Sequence, residues 1–357
     1  MHKKLFIPGP VEVSQDVLEK MGTPMIGHRG KDASLLQRGI SDKLRVVFHT
    51  KEEILISTSS GSGLMEGAIR SCTAKKAAVF SIGAFGKRWY EMAKFNNVPA
   101  DLFEVESGKA TSAEDVDKVL ATGDYDLITI THNETATGVM NPLEDLSKVI
   151  KKYPDVIWCV DSVSSMAGTL IEVDKLGIDI CITSSQKALG LPPGMAVCSF
   201  SQKAVERAKT VPFRGFYLDL LALYNFVQKK DYQYPSTPSL SHMFALDYQL
   251  DKILKEGIEV RYERHIKMAE LVRSWARKYF AIFGDERYLS NTVTCISNTR
   301  GIDISALNKE LGNRGMQLAN GYGPLKDKTF RIAHMADCSI EDIEELLKNI
   351  NEILGLS

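Results

Sequence analysis

Between Glu53 and Phe200 the chain alternates short apolar, β-branched runs with longer segments of helical period, and this alternation constrains its fold more than any other feature. The runs are EILIST, KAAVFSIG, DLFEVE, DLITITHN, DVIWCVDS, DICITSS and MAVCSFS, and several are apolar on both faces. A strand that hides both faces lies in a sheet covered on both sides, the arrangement of parallel strands joined by helices. The intervening stretches Gly63–Cys72, Phe85–Phe95, Ser112–Leu120 and Pro142–Lys152 are long enough to serve as right-handed crossovers. The expectation is an α/β chain with a doubly wound, mostly parallel, seven-stranded sheet.

After Phe200 the period becomes helical through Phe280, with pairs such as Glu263 and Lys267 one turn apart, and a single long helix is predicted near Ser241–Arg277. From Asn291 the pattern reads strand (TVTCIS), helix (ISALNKELGNRG), loop, strand (TFRIAHM), then a helix opening at Ser339 with Glu341 and Asp342 in its first turn. This predicts a small C-terminal α+β domain. The 357 residues correspond to about 2.4 typical domains, enough for one large or two moderate cores.

Charge and cysteine usage narrow the setting. Lys and Arg number 44 against 45 Asp and Glu, so there is no basic excess to recruit nucleic acid. The six cysteines form no CxxC pair and sit mostly in apolar runs, as expected of reduced, buried thiols in the cytoplasm. MHKKLFIPGPVEVS has too few apolar residues for a signal sequence, and no apolar run of about 18 residues follows to cross a membrane.

In a doubly wound sheet, chemistry collects at the C-terminal ends of the strands. Four such ends carry polar clusters. STSSGSGLMEGAI at Ser57–Ile69 leads a strand through small residues into a helix, whose N-terminal N–H groups suit an anion. It lacks the endings of a P-loop or a GxGxxG turn, and a ligand-free tight turn has the same composition. Asp161 follows an apolar strand and reads either as a buried carboxylate needing a cationic partner or as a helix cap. Lys187, in ITSSQKALGLPPG, reads either as a desolvated amine nucleophile or as a solvated loop lysine. His132, Asn133, Glu134 and Thr135 form the fourth cluster. Together, an anion-ready helix start, a buried Asp and a Lys 26 residues further on meet the needs of pyridoxal phosphate. That cofactor requires a phosphate site, a carboxylate at its pyridine nitrogen and a lysine for its aldehyde. No metal set is expected.

PGP at Pro8–Pro10, MIGHR at Met25–Arg29, SGSG at Ser60–Gly63, HNETATGV at His132–Val139, VDSVSSMAG at Val160–Gly168, SSQKAL at Ser184–Leu189 and FRIAHM at Phe330–Met335 together resemble the class V aminotransferases. Within them the chain is similar to the alanine–glyoxylate and serine–pyruvate branch. The resemblance implies the type I fold of pyridoxal-phosphate transferases, with residues 15–250 as the large domain and residues 1–14 with 251–357 as the small one. It implies that Lys187 holds the cofactor aldehyde, Asp161 faces its pyridine nitrogen, and Ser62, Gly63 and Leu64 with Gln186 hold its phosphate. Thr135 stands for a hydroxyl near the phenolic oxygen, and Phe85 for an aromatic ring, often Trp in relatives, stacked on the pyridine. Tyr234 and Thr237 resemble a pair reaching the phosphate from a neighbouring subunit, which implies a homodimer with shared sites. Arg331 resembles the clamp for the substrate α-carboxylate. His28 and Arg29 depart from relatives that carry small residues there, and are candidates for a second acidic group on the donor.

The implied activity is ping-pong transfer of an amino group from a small amino acid such as alanine or serine to a 2-oxo acid such as glyoxylate or pyruvate. The freed Lys187 amine would carry the Cα proton. Aminoethylphosphonate–pyruvate, phosphoserine and aspartate aminotransferases are close alternatives. A cysteine desulfurase would need a nucleophilic Cys before the FRIAHM motif, whereas Cys338 lies after it. A cofactor-binding protein without turnover is the remaining alternative.

Overall fold

Each strand of the large sheet sends alternate residues to opposite sides, and both sides are apolar. The computed structural model describes residues 2–356. On one face of the large sheet Ile54, Ile56, Phe80, Ile128, Ile130, Trp158 and Val160 join one core. On the other, Leu55, Val79, Leu127, Ile157, Cys159, Ile180 and Ile182 join a second. The seven strands run in the spatial order Glu53–Ser57, Ala196–Phe200, Ile180–Ser184, Ile157–Asp161, Leu127–Thr131, Ala77–Ser81, Ala100–Glu104. Only Ala196–Phe200 is antiparallel to its neighbours. The expected mostly parallel, doubly wound α/β sheet is therefore present, and the four expected crossovers form helices Gly61–Cys72, Ala84–Phe95, Ala113–Leu120 and Leu143–Ile150.

The second sheet has five strands, in the order Lys4–Phe6, Met316–Asn320, Thr329–Ala333, Val293–Ser297, Ala281–Ile282. Its first pair is parallel and the rest are antiparallel. The N-terminal strand thus joins elements more than 300 residues later in the chain. The last helix, Ile340–Leu354, is capped as its sequence predicts: Ser339 and Asp342 satisfy each other's backbone N–H groups.

Two expectations are corrected. The single helix near Ser241–Arg277 is two helices, Leu240–Glu256 and Ile258–Tyr279, because Gly257 adopts φ +88° and interrupts the hydrogen-bond ladder. The segment read as loop before TFRIAHM contains the strand Met316–Asn320, which pairs on both sides. The HNETATGV segment also forms a small hairpin, Asn133–Glu134 with Val139–Met140. Among the described residues no helix is long and apolar enough to cross a membrane.

Candidate active site

The C-terminal ends of five large-sheet strands open onto one cavity of about 250 Å³. Its walls include Ser60 to Ser62, Phe85, Thr135, Asp161, Gln186 and Lys187, so residues spread over 128 positions of sequence meet in one space. Leu64 is fully buried in the first turn of the helix beginning at Gly61 and does not line the cavity. That helix has no side-chain cap, which leaves N–H groups of its first turn for a ligand.

Asp161 ends the strand Ile157–Asp161 and is 5 % exposed. Burial pushes its carboxyl up to about 6, against the lowering pull of the Val163 N–H, 2.9 Å away, and the nearby charges of Lys187 and Arg88. Lys187 follows the adjacent strand Ile180–Ser184. Burial lowers its ammonium to about 8; Asp161 opposes this, while Arg331 and Arg88 add to it. Its Nζ donates to the Pro8 carbonyl. Gly9 adopts φ +127°, a backbone conformation that residues with a Cβ rarely take, and it lies against the Lys187 side chain. The chain's first residues are thus folded against the amine, and the Val11 N–H donates to the Gln186 carbonyl at 3.2 Å.

Three wall residues carry buried polar atoms without a partner: Asn133 Oδ1, Ser184 Oγ and Gln186 Oε1. Buried polar groups are almost always paired, so three orphans on one cavity mark a place built for a polar ligand. Rotated half a turn, the Gln186 amide offers two N–H donors at the same point, as an anionic ligand needs.

Arg331, 8 % exposed, lies in the strand Thr329–Ala333 of the small sheet. Its Nε and Nη2 donate to the Asn320 carbonyl at 3.1 and 2.9 Å, and Nη1 donates to the Thr135 carbonyl at 3.2 Å. Of five N–H groups, one on each terminal nitrogen remains for a carboxylate. The hydroxyls of Thr135 and Ser164 are 2.6 Å apart. Arg88, which the sequence reading did not single out, also lines the cavity. Its guanidinium sits 4.9 Å from the Phe85 ring centroid and donates to Ser62 Oγ at 3.3 Å. Tyr322, also unforeseen, packs on Phe85 at 5.4 Å, with Arg331 5.7 Å from its own ring.

Seven expected site residues do not line the cavity within one chain: Gly63 and Leu64 in the adjoining helix, Arg331 on the small sheet, and His28, Arg29, Tyr234 and Thr237. His28 is half-buried and outside the cavity, and Arg29 donates to the carbonyls of Tyr234 and Pro235. Tyr234 is buried, its hydroxyl accepting from Thr58 N–H of its own chain at 3.3 Å, and Thr237 is exposed. Arg29 and Tyr234 thus lie together beside the Ser57–Ser60 turn.

The family profile described as Aminotransferase class-V matches residues 13–346. An uncharacterized aminotransferase of Methanocaldococcus jannaschii is 39 % identical over 347 residues, covering 96 % of this chain and 90 % of that protein. The chain belongs to the class V aminotransferases. An L-aspartate–glyoxylate aminotransferase of Paracoccus denitrificans is 28 % identical, covering 93 % of this chain and 86 % of that protein. The crystal structure of an alanine–glyoxylate aminotransferase from Nostoc superposes with a TM-score of 0.93 at 25 % identity, covering 99 % of this chain and 96 % of that one. The chain is therefore an enzyme of amino-group transfer with the type I fold, and its family implies pyridoxal phosphate. The orphaned amide and hydroxyl, the uncapped helix start and the Asp161–Lys187 pair all fit that group.

Proposed function

We propose that this aminotransferase takes its amino group from a small amino acid, alanine, serine or a near relative, and passes it to glyoxylate or pyruvate. The observation that carries the reading is the convergence of a buried carboxylate, a lysine with a depressed pKa and an uncapped helix N-terminus on one cavity. Pyridoxal phosphate, when bound there, supplies an electron sink for the substrate Cα. Lys187, with Asp161, Ser62, Gly63, Leu64, Phe85, Thr135 and Gln186, would hold it.

The chain's own residues account for the rest. The Lys187 amine, held near neutrality by burial, can take a proton from Cα and return it. Asp161 supplies the negative partner for a pyridinium N–H, which in turn relieves its cost of burial. Arg331 is immobilised by Asn320 and Thr135, so its two remaining N–H groups orient an α-carboxylate at little cost in entropy. The relatives named for glyoxylate support a small acceptor.

The same reading makes the enzyme a homodimer. Phe213 and Phe216 are 87 % and 91 % exposed, a cost in water that a second subunit would remove, and they lie on the segment leading toward Tyr234 and Thr237. His28 and Arg29 sit on the same edge, where they would meet a partner's donor rather than their own. Reduced, buried cysteines support a cytoplasmic setting. Cys338 is a poor desulfurase nucleophile: burial pushes its thiol up to about 12, and it lines a separate cavity beside Phe6 and Met335.

The test is a half-reaction screen of purified protein loaded with pyridoxal phosphate, following the visible absorbance as single amino acids are added. Bleaching by alanine or serine, restored by glyoxylate or pyruvate, is expected. Bleaching only by phosphoserine or aminoethylphosphonate would move the assignment to those donors.

A further inference from the structure

The small hairpin at Asn133–Met140 carries a carboxylate with no role in the chemistry above. Glu134 is fully buried at the end of its first strand. Its Oε2 accepts from the N–H groups of Phe85 and Gly86 at 2.9 and 3.3 Å, and its Oε1 accepts from the N–H of Ala136 at 3.1 Å. The first two donors open the helix Ala84–Phe95, whose own cap residue, Gly83, has no side chain to offer. Glu134 therefore caps that helix from another element, where the helix dipole favours a negative charge. The approach is close: a Cβ on Gly83 would lie 2.6 Å from Glu134 Cγ.

The third bond faces the other way. Ala136 follows Thr135, whose carbonyl accepts from Arg331 Nη1. The turn is closed by Thr137 and Gly138 N–H groups donating to the Glu134 carbonyl at 3.2 and 2.9 Å. One side chain thus ties the segment bearing the Phe85 ring to the turn whose Thr135 carbonyl holds Arg331 of the small sheet. Resting on the transaminase reading, we propose that Glu134 is a positioning residue, holding the ring-stacking Phe85 and the carboxylate clamp Arg331 in register.

The chemistry explains why a glutamate stands here. Three N–H donors converge on two oxygens, so both oxygens have to accept. Gln keeps one acceptor oxygen and can hold the Phe85 side or the Ala136 side, but not both. Asp keeps both oxygens and the charge but is one methylene too short to span the same gap. Burial raises the carboxyl to about 7, with Asp161 adding to the rise, so the group is kept at a cost that a merely space-filling residue would avoid.

The experiment compares Glu134→Gln, Glu134→Asp and Glu134→Ala with the parent, all loaded with pyridoxal phosphate. The first readout, taken without any donor, is the circular dichroism of the visible cofactor band, which follows the tilt of the bound ring. The second is the split between KM for the amino donor and kcat. The proposal expects the band's ellipticity to change in Gln and Asp, and KM for the donor to rise about tenfold in Gln, the loss of one geometry-setting hydrogen bond. Ala is expected to exceed both, and Gln to recover part of its loss. Unchanged ellipticity and KM in Gln and Asp, with only the melting temperature lowered, would overturn it. A parent band indifferent to every donor would count against the transaminase reading instead, because the donor-free dichroism tests Glu134 without it.

Discussion

Replacing Asp161 by Asn separates the stability of this site from its function. The side chain is 5 % exposed, and burial lifts its carboxyl from the usual 3.8 to about 6. A pKa raised in the folded state means that the contribution of the carboxyl to stability is whole below pH 3.8 and is lost as pH climbs through 6. Each unit of difference corresponds to about 1.4 kcal/mol, so at neutral pH the ionised Asp161 costs the cofactor-free protein about 3 kcal/mol. Asn has the same shape and no proton to lose. In urea unfolding of cofactor-free protein followed by tryptophan fluorescence, the advantage of Asp161→Asn over the parent should grow by about 2.4 kcal/mol between pH 4 and pH 7. Function should move the other way. Without an anion against the pyridinium nitrogen, turnover should fall by about ten- to a hundredfold, the worth of a charge-assisted hydrogen bond. Unfolding curves for the two proteins that stay parallel from pH 4 to pH 7 would refute the reasoning, because the carboxylate would then be solvated rather than buried.

Arg331→Lys keeps the charge but not the planar fork that reaches Asn320, Thr135 and a carboxylate at once; kcat/KM for the amino donor should drop about ten- to a hundredfold with cofactor affinity unchanged, as steady-state kinetics and fluorescence titration would show. Arg261 is 1 % exposed and bonds Glu256, Asp337 and the carbonyls of Ala167 and Ala188, the last beside Lys187. Arg261→Ala leaves the buried carbonyls of Ala167 and Ala188 without their donor and Asp337 with only Lys252 and Gln249, and should lower the unfolding free energy by about 2–4 kcal/mol in denaturant titration.

The large sheet was legible because its strands are buried on both faces, a pattern that leaves an unbroken apolar signal such as VIWCV or ICIT. Asp161 and Lys187 were legible because strand ends are where a parallel sheet puts its chemistry. What escaped depends on contacts distant in sequence. The strand Met316–Asn320 has the weakly apolar sequence MQLAN, and it is a strand because Lys4–Phe6 and Thr329–Ala333 flank it. The break at Gly257 carried a signal, a glycine in a helical period, but such a residue also occurs within continuous helices. Arg88 could have been found from its position one helical turn beyond Phe85 on the same face. Tyr322 could not, since it reaches Phe85 only when the small sheet docks on the large one.

The central claim is that Lys187 is the amine this fold prepares for the cofactor. Reducing the pyridoxal-phosphate-loaded protein with borohydride, digesting it and locating the modified lysine by mass spectrometry tests that claim directly. The account predicts one reduced cofactor adduct, on the peptide that contains Lys187, and none in Lys187→Ala. An adduct on any other lysine, or a Lys187→Ala protein that traps the cofactor as fully as the parent, would contradict it.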